Sequence, residues 1–80
     1  MQAQSFIRNK EEDLEELDET DRAIERLGER IQAQEKRLAQ LKREGIDVKS
    51  AEEIRANLCE SLKELLKHRA LIQHALTYGE

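Results

Sequence analysis

The chain has 80 residues, of which 40% are charged and 2% are aromatic, and a net charge of −4. We therefore expect one domain over residues 1–80 with the composition of long helices and coiled coils, which leaves little material for a ligand pocket. The sequence lacks an apolar run of about 18 residues and the pattern of a signal peptide, which predicts a cytoplasmic protein without a membrane span. The single cysteine, Cys59, cannot form an internal disulfide, and this fits a reducing compartment.

The first half of the chain carries the apolar spacing of a coiled-coil seam. Four seam residues recur every seven positions, and two leucines follow them by three, giving Leu17, Ile24, Leu27, Ile31, Leu38 and Leu41. This pattern predicts an amphipathic helix over about 10–44. Gly28 inside it should cost about 1 kcal/mol relative to alanine, either because a neighbouring helix approaches closely or as a tolerated imperfection.

The N-terminal end of this helix is open to two interpretations. Near Thr20 the apolar stripe shifts toward Leu14, so the helix either continues with a changed face or breaks there. Asn9 and Glu12 have the spacing of a capping box. Residues 1–9, at and before this box, are therefore expected to be disordered.

A short segment ends one helix and starts the next. Gly45 is expected just past a helix C-terminus in a left-handed conformation, and Ile46 is placed for the apolar contact of a Schellman cap with Leu41. Ser50 and Glu53 have the spacing of a capping box at the start of a second helix. The segment therefore predicts a tight turn between two helices.

After a turn over 45–50, the second helix is predicted at about 51–77. Its seam is Ala51, Ile54, Leu58, Leu65, Ile72 and Ala75, with Leu62 and Leu76 beside it. Folding about Asp47 pairs Leu41 with Ile54, Leu38 with Leu58, Ile31 with Leu65 and Ile24 with Ile72. The same register places Gln34 near Ser61, as a polar layer that either fixes the register or is simply part-exposed. The predicted fold class is all-α, an antiparallel helical hairpin of two long, coiled-coil-like helices.

Two surfaces argue for a dimer. The second helix has a further apolar face, and in this register it reaches back only to about Leu17, which leaves the N-terminal apolar residues without a partner in the chain. The predicted interface comprises Phe6, Ile7, Leu14, Cys59, Leu62, Leu66 and Ala70. A two-fold four-helix bundle would bury both surfaces, and two-fold dimers are the commonest soluble assembly. The alternative is a monomeric hairpin with a frayed end.

Charge is unevenly distributed along the chain. An acidic segment is a candidate docking surface for a basic protein, or else a solvated face, and comprises Glu11, Glu12, Asp13, Glu15, Glu16, Asp18 and Glu19. Lys63, Lys67 and Arg69 are its candidate partners across a dimer. The arginines that follow alternate with glutamates at helix-neighbour spacing, which favours surface ion pairs. The net charge of −4 and the lack of a stacking platform disfavour a nucleic-acid partner.

The sequence has no recognisable set of catalytic, cofactor-binding or metal-ligating residues. His68 and His74 point to opposite sides of a helix, and Glu64 with His68 would supply only two ligands. Cys59 has no histidine in its own turn and is predicted to be a packing thiol. The sequence has no glycine-rich phosphate loop and no hydrolase motif. We therefore expect a non-enzymatic protein.

Two stretches of the chain share a residue pattern with a known group of proteins. They read Ile31-x-x-Gln34-x-x-x-Leu38-x-x-Leu41-x-x-x-Gly45-x-Asp47-x-x-x-Ala51-Glu52 and Leu58-x-x-Ser61-Leu62-x-x-Leu65-x-x-His68-Arg69-x-x-Ile72. This pattern resembles a family of short uncharacterised bacterial helical-hairpin proteins. The resemblance implies a hairpin fold and a bacterial origin, and it supplies no catalytic or binding residues. The Gly-x-Asp turn and the His-Arg pair are interpreted as structural, for turn geometry and seam closure.

Two functions follow from the sequence. The first is a self-associating scaffold or adaptor, a homodimer that presents helical surfaces to other proteins. The alternative is a small nucleic-acid-associated regulator, which resembles in outline the small acidic plasmid-encoded hairpin dimers that bind paired RNA loops. Arg26, Arg30 and Arg37 fall on or near one side of the first helix and are its candidate phosphate contacts.

Overall fold

Two long helices make up the part of the chain that the computed structural model describes, residues 10–78. Helix α1 runs over Lys10–Arg43 and helix α2 over Lys49–Tyr78, and residues 44–48 connect them. The predicted boundaries differ from these by at most two residues, which is the usual scatter at helix ends.

Contacts between the helices follow an antiparallel order. Near the connection, the Gln34 side chain bonds the backbone of Ala51, and near the other end Glu16 bonds His68. Pairs that move outward along both helices in this way require the second helix to run back along the first. The predicted all-α helical hairpin is therefore confirmed.

The C-terminus of α1 ends in a Schellman cap. The backbone N–H of Ile46 donates to the carbonyl of Leu41 at 2.9 Å, and that of Gly45 donates to Lys42 at 3.1 Å. Gly45 has a φ of 70°, in the left-handed region that a residue with a Cβ adopts only at a cost. The glycine therefore ends the helix and turns the chain, while the Ile46 side chain remains about half exposed.

The start of α2 is capped by Asp47 rather than by Ser50. The Asp47 carboxylate accepts a hydrogen bond from the backbone N–H of Lys49, the first residue of α2, at 3.1 Å, and so satisfies one of the free N–H groups at the helix start. The helix begins at Lys49, and Ser50 already lies within its first turn. The predicted capping box of Ser50 with Glu53 is therefore wrong, because the aspartate reaches the free N–H groups earlier in the chain.

The apolar seam of α1 faces α2. Leu27 and Leu38 are buried in it, and the half-buried members are Leu17, Ile24, Ile31 and Leu41. The heptad spacing of these residues thus correctly predicts which side of α1 packs against its neighbour.

Toward the N-terminus of α1 the seam continues through polar residues. Asp13 and Thr20 are 4% and 6% exposed, and both fall on the heptad row of Leu27. The helix is continuous past Thr20, and the same side of it faces α2 before and after this residue. Neither the predicted break nor the predicted change of face occurs. Leu14 is 52% exposed because it lies beside the seam. Within residues 10–78, each buried side-chain nitrogen or oxygen has a hydrogen-bond partner, so these polar positions are satisfied.

The two helices pair in a different register from the one predicted. The Arg55 guanidinium donates two hydrogen bonds to the Glu35 carboxylate, at 2.9 and 3.1 Å, and Arg69 donates to Asp21. The predicted layers would have placed Arg55 beside Lys42, with like charges together. The predicted register is therefore wrong by about one heptad.

The connection between the helices explains the shift. A non-helical residue advances up to about 3.3 Å, compared with about 1.5 Å for a helical one, so residues 45–48 carry the chain back along α1 before α2 starts. The Gln34 amide accordingly donates to the carbonyl of Ala51 at 2.9 Å. Gln34 therefore lies beside Ala51 and not beside Ser61, where it was predicted. Ile54, which was expected in the seam, is 50% exposed.

The corrected register leaves no overhang of α1 within the described residues. The His68 ring lies 2.8 Å from the Glu16 carboxylate. From there α2 continues to Tyr78, and the described part of α1 continues to Lys10. The last turn of α2 therefore lies at or beyond the start of α1. The prediction that α2 reaches back only to about Leu17 is wrong.

Gly28 lies inside α1 with open space beside it. A Cβ placed on this residue meets no atom within 4 Å. Close approach of α2 is therefore not the reason for a glycine at this position, and the helix carries its conformational cost without a packing gain inside the hairpin.

Candidate functional site

Three side-chain bridges connect α1 and α2. They join Glu35 with Arg55, Asp21 with Arg69, and Glu16 with His68. Each of these side chains is at least 35% exposed, so each bridge stabilises the hairpin only weakly. The hydrogen bond to the Glu35 carboxylate raises the pKa of the Arg55 guanidinium, which keeps its charge across the working pH range.

The bridges divide the hairpin surface into two broad faces. Residues three or four positions apart share one side of a helix. By this spacing, Asp21 and Glu35 fall on one side of the α1 seam and Glu16 falls on the other. Each helix therefore contributes one row of residues to the side of the arginine bridges and another row to the side of His68.

The Leu71 face lies on the side of His68. It comprises, from α1, Glu12, Glu16, Glu19, Ala23, Arg26, Arg30, Ala33 and Arg37, and from α2, Ile54, Asn57, Ser61, Glu64, His68, Leu71, Ala75 and Tyr78. Its α2 half is mostly uncharged and includes Leu71 and Tyr78, each of which is 69% exposed. Its α1 half is acidic toward the N-terminus and basic toward the C-terminus.

Most charges of the Leu71 face have no partner within the hairpin. Within residues 10–78, no ion pair engages Glu12, Glu19, Arg26, Arg30 or Arg37. The expected pairing of these arginines with neighbouring glutamates is therefore absent from the described chain. Inside α1, Arg22 does pair with Asp18, at 2.7 Å.

The Leu66 face lies on the side of the arginine bridges. It comprises, from α1, Glu11, Leu14, Asp18, Asp21, Glu25, Gly28, Gln32 and Glu35, and from α2, Glu52, Ala56, Cys59, Lys63, Leu66, Ala70, Gln73 and Thr77. Leu14 and Leu66 are 52% and 48% exposed. The α1 half of this face is acidic along most of its length, in contrast to the divided charge of the Leu71 face.

The predicted dimer-interface residues fall on or beside the Leu66 face. The exposed ones are Leu14, Leu66 and Ala70, and the half-buried ones are Cys59 and, within the seam, Leu62. The hairpin thus brings the α1 and α2 members of this set to one side. Phe6 and Ile7 lie outside the described residues.

Only part of the acidic segment forms an exposed surface. Asp13 is buried in the seam and Glu16 bonds His68. Asp18 pairs with Arg22 along the helix. The other predicted docking residues are exposed, namely Glu11, Glu12, Glu15 and Glu19. Glu15 lies three or four positions from each of the other three, so these acids share one side of α1 and a basic partner could contact them together.

The predicted interface does not include Leu71 and Tyr78, the most exposed hydrophobic residues of the Leu71 face. Leu71 and Tyr78 are one heptad apart, and this spacing is the signal in the sequence that places them together. The His74 ring packs against the Tyr78 ring, with the two centroids 4.5 Å apart. A shallow, open depression follows the outer edge of α2 next to this row, lined by Lys67, Ala70, Leu71 and His74.

Neither α1 nor α2 offers an apolar stretch that would span a bilayer. Within residues 10–78 there is also no group of three or more side chains arranged to hold a metal ion. No protein-family model, curated protein or solved structure matches the chain.

Proposed function

We propose that this chain is a non-enzymatic, self-associating helical module, a homodimeric four-helix bundle that presents helical surfaces to other proteins. The observation that carries the proposal is the small share of apolar surface that the hairpin buries. The buried hydrophobic residues are Leu27, Leu38, Ala51, Leu58 and Ile72. The large hydrophobic residues that are about half exposed or more are Leu14, Ile46, Ile54, Leu66, Leu71 and Tyr78.

Self-association is the simplest way to cover these side chains. A hairpin of two helices cannot enclose a core of its own, whereas a second copy supplies a matching surface through two-fold symmetry. Full burial of one large apolar side chain is worth about 1.5–3 kcal/mol. An interface that covers several of them from each copy therefore offsets the loss of rotational and translational freedom on association.

The proposed adaptor role uses the surface that a dimer leaves free. Glu11 and Glu15 are exposed at the N-terminal end of α1, and they favour a basic protein as the further partner. A cytoplasmic location belongs to this proposal and is supported by the free thiol of Cys59. A bacterial origin belongs to it as well, through the resemblance in sequence.

A nucleic-acid-associated hairpin dimer is the alternative. It is favoured by the arginine row of the Leu71 face, which lacks carboxylate partners within the described chain. Glu12 and Glu19 on the same face and the net charge of −4 oppose it. Retention of a labelled RNA loop pair at about 50 mM salt, with a steep loss as salt rises, would support this alternative. No retention at that salt concentration would remove it.

Light scattering on the full chain tests self-association. We expect a mass twice that of the 9.3 kDa subunit, unchanged on dilution until the dissociation constant is approached. A monomer over the whole accessible concentration range would contradict the proposal. It would indicate a different protein as the cover for the exposed apolar residues.

A further inference from the structure

We propose that a second copy of this chain packs antiparallel on the Leu71 face, with the acidic end of each α1 against the basic end of the other. The inference rests on the self-association proposed above and adds the surface and the orientation of the two copies. It is carried by the charges and the apolar row of this face.

Helix α1 carries opposite charges at the two ends of the Leu71 face. Glu12 and Glu19 lie toward its N-terminus, and Arg26, Arg30 and Arg37 lie toward its C-terminus. Within the described part of the chain these five side chains form no ion pair. A row of this kind is complementary to a copy of itself that runs in the opposite direction.

Two-fold symmetry decides which helices meet. When two hairpins stack face to face and antiparallel, α1 lies over α1 and α2 over α2, whereas a parallel stack places α1 over α2. With the antiparallel axis just beyond Ala23, Glu12 lies opposite Arg37 of the second copy and Glu19 lies opposite its Arg30. Symmetry repeats both contacts, so four ion pairs form along the two α1 helices.

The same axis lays the mostly uncharged α2 row of one copy on that of the other, with a single like-charge contact where Glu64 meets its symmetry mate next to the axis. On this face α2 has one formally charged residue, Glu64, while its exposed hydrophobic residues Ile54, Leu71 and Tyr78 lie toward both ends. Ile54 of one copy comes level with Ala75 of the other. A parallel stack would instead lay these uncharged residues over the charges of α1, which would lose hydration without gaining partners.

The Leu66 face suits a second copy less well. Its α1 row is acidic, with Glu11, Asp18, Asp21, Glu25 and Glu35, and an antiparallel stack would place carboxylates against carboxylates. The two arginines at the edge of this face, Arg55 and Arg69, are already engaged by its own acids. They therefore offer little attraction to the second copy.

The Leu71 face is also large enough for a stable dimer. Two helices of about 45 Å, side by side over a width of about 20 Å, present about 900 Å². A typical stable interface buries about 800 Å² from each partner. One face of the hairpin therefore provides the whole interface, and no further segment of the chain is required.

Charge reversal in the full-length chain tests the orientation. Glu19→Arg and Arg30→Glu each convert two attractive contacts of the antiparallel dimer into repulsive ones, and we expect each to raise the dimer Kd about tenfold at low salt. The double variant restores both contacts and should return Kd to within about threefold of the unchanged chain. Glu25→Arg, on the Leu66 face of the same helix, is the matched control and should leave Kd nearly unchanged. Sedimentation equilibrium gives the Kd values.

A matched pair of apolar variants tests the surface. Leu71→Ser should raise Kd by at least about tenfold, whereas Leu66→Ser on the other face should change it by less than about threefold. Both side chains are exposed in the hairpin, so the helical content measured by circular dichroism should be the same in both variants. A larger effect of Leu66→Ser would overturn the choice of face.

The remaining outcomes separate this inference from the proposed function. A monomeric full-length chain would contradict self-association itself. A stable dimer that is insensitive to Leu71→Ser and to both charge reversals would keep the proposed function and overturn the Leu71 face. If the single reversals weaken the dimer but the double variant does not recover, the antiparallel orientation is wrong.

Discussion

Arg55 and Arg69 occupy the same row of α2, two heptads apart, and the carboxylates they bind, Glu35 and Asp21, have the same spacing on α1. Equal spacing on both helices means that one register satisfies both arginines. A slip of one heptad in either direction leaves both without a carboxylate. The two bridges therefore select the register, although each contributes little free energy as an exposed pair.

A double-mutant cycle on Asp21 and Arg69 measures this coupling. We expect Asp21→Ala and Arg69→Ala each to lower the free energy of unfolding by about 0.5–1 kcal/mol, and the double variant to lose about 0.5 kcal/mol less than their sum. Urea denaturation at a fixed protein concentration provides the values. The coupling should decrease at about 1 M salt, where surface charges are screened. A coupling of zero at low salt would show that the bridge has no part in selecting the register.

Gly28→Ala should stabilise the protein by about 1 kcal/mol, because alanine restores helix propensity and the space beside the backbone is open. For a chain of this size the midpoint of thermal unfolding should rise by about 4–8 °C. Ala39→Gly, at an exposed site of the same helix, is the reverse control and should lower the midpoint by a similar amount. Gly28 belongs to the Leu66 face, so destabilisation or loss of dimer on Gly28→Ala would show that another helix approaches it there.

Gly45→Ala should destabilise the protein, whereas Gly28→Ala should stabilise it. The backbone of Gly45 is left-handed, and a Cβ in that conformation costs about 1–2 kcal/mol even though the surrounding space is open. We therefore expect a lower midpoint in both thermal and urea unfolding. Gly45→Asn should recover part of the loss, since asparagine tolerates this conformation better. Equal stability of the alanine variant would mean that the helix ends without the Schellman geometry.

Asp47→Ala and Ser50→Ala distinguish the two candidate caps of α2. Loss of the Asp47 carboxylate, which accepts from the Lys49 N–H, should cost about 1 kcal/mol. Ser50 is already inside the first turn, so its replacement by alanine should be neutral or slightly stabilising. Urea denaturation of the two variants side by side checks the difference. The reverse order of stabilities would restore the capping box at Ser50.

The hairpin itself is predictable from the sequence because its signals are local. A heptad row of apolar residues predicts the packing side of α1, and Gly45 predicts the end of that helix. The register was not predicted correctly, because apolar layers alone fit two registers one heptad apart. The charges distinguish them, through the equal spacing of the arginine row in α2 and its acids in α1, and the extended connection over 45–48 favours the same register.

The candidate surfaces are predictable only in part. Leu14 is apolar and was therefore expected to continue the apolar stripe, yet polar Asp13 and Thr20 occupy the seam positions. Hydrophobicity does not identify a seam residue when a polar side chain finds a hydrogen-bond partner there. Leu71 and Tyr78 share a heptad row outside the α2 seam, so their exposure follows from the same periodicity. The α1 residues that lie level with them depend on the register, which the apolar pattern alone does not supply.

The capped connection also affects how the chain folds and opens. Contacts near it join residues close in sequence, such as Gln34 with Ala51, whereas Glu16 with His68 closes a much longer loop. Loop-closure entropy favours the short contacts first, so we expect folding to begin at the turn and to proceed toward the termini. Amide hydrogens near Leu38 should then exchange more slowly than those near Glu16. The end that carries the acidic side chains would open and close while the turn stays formed.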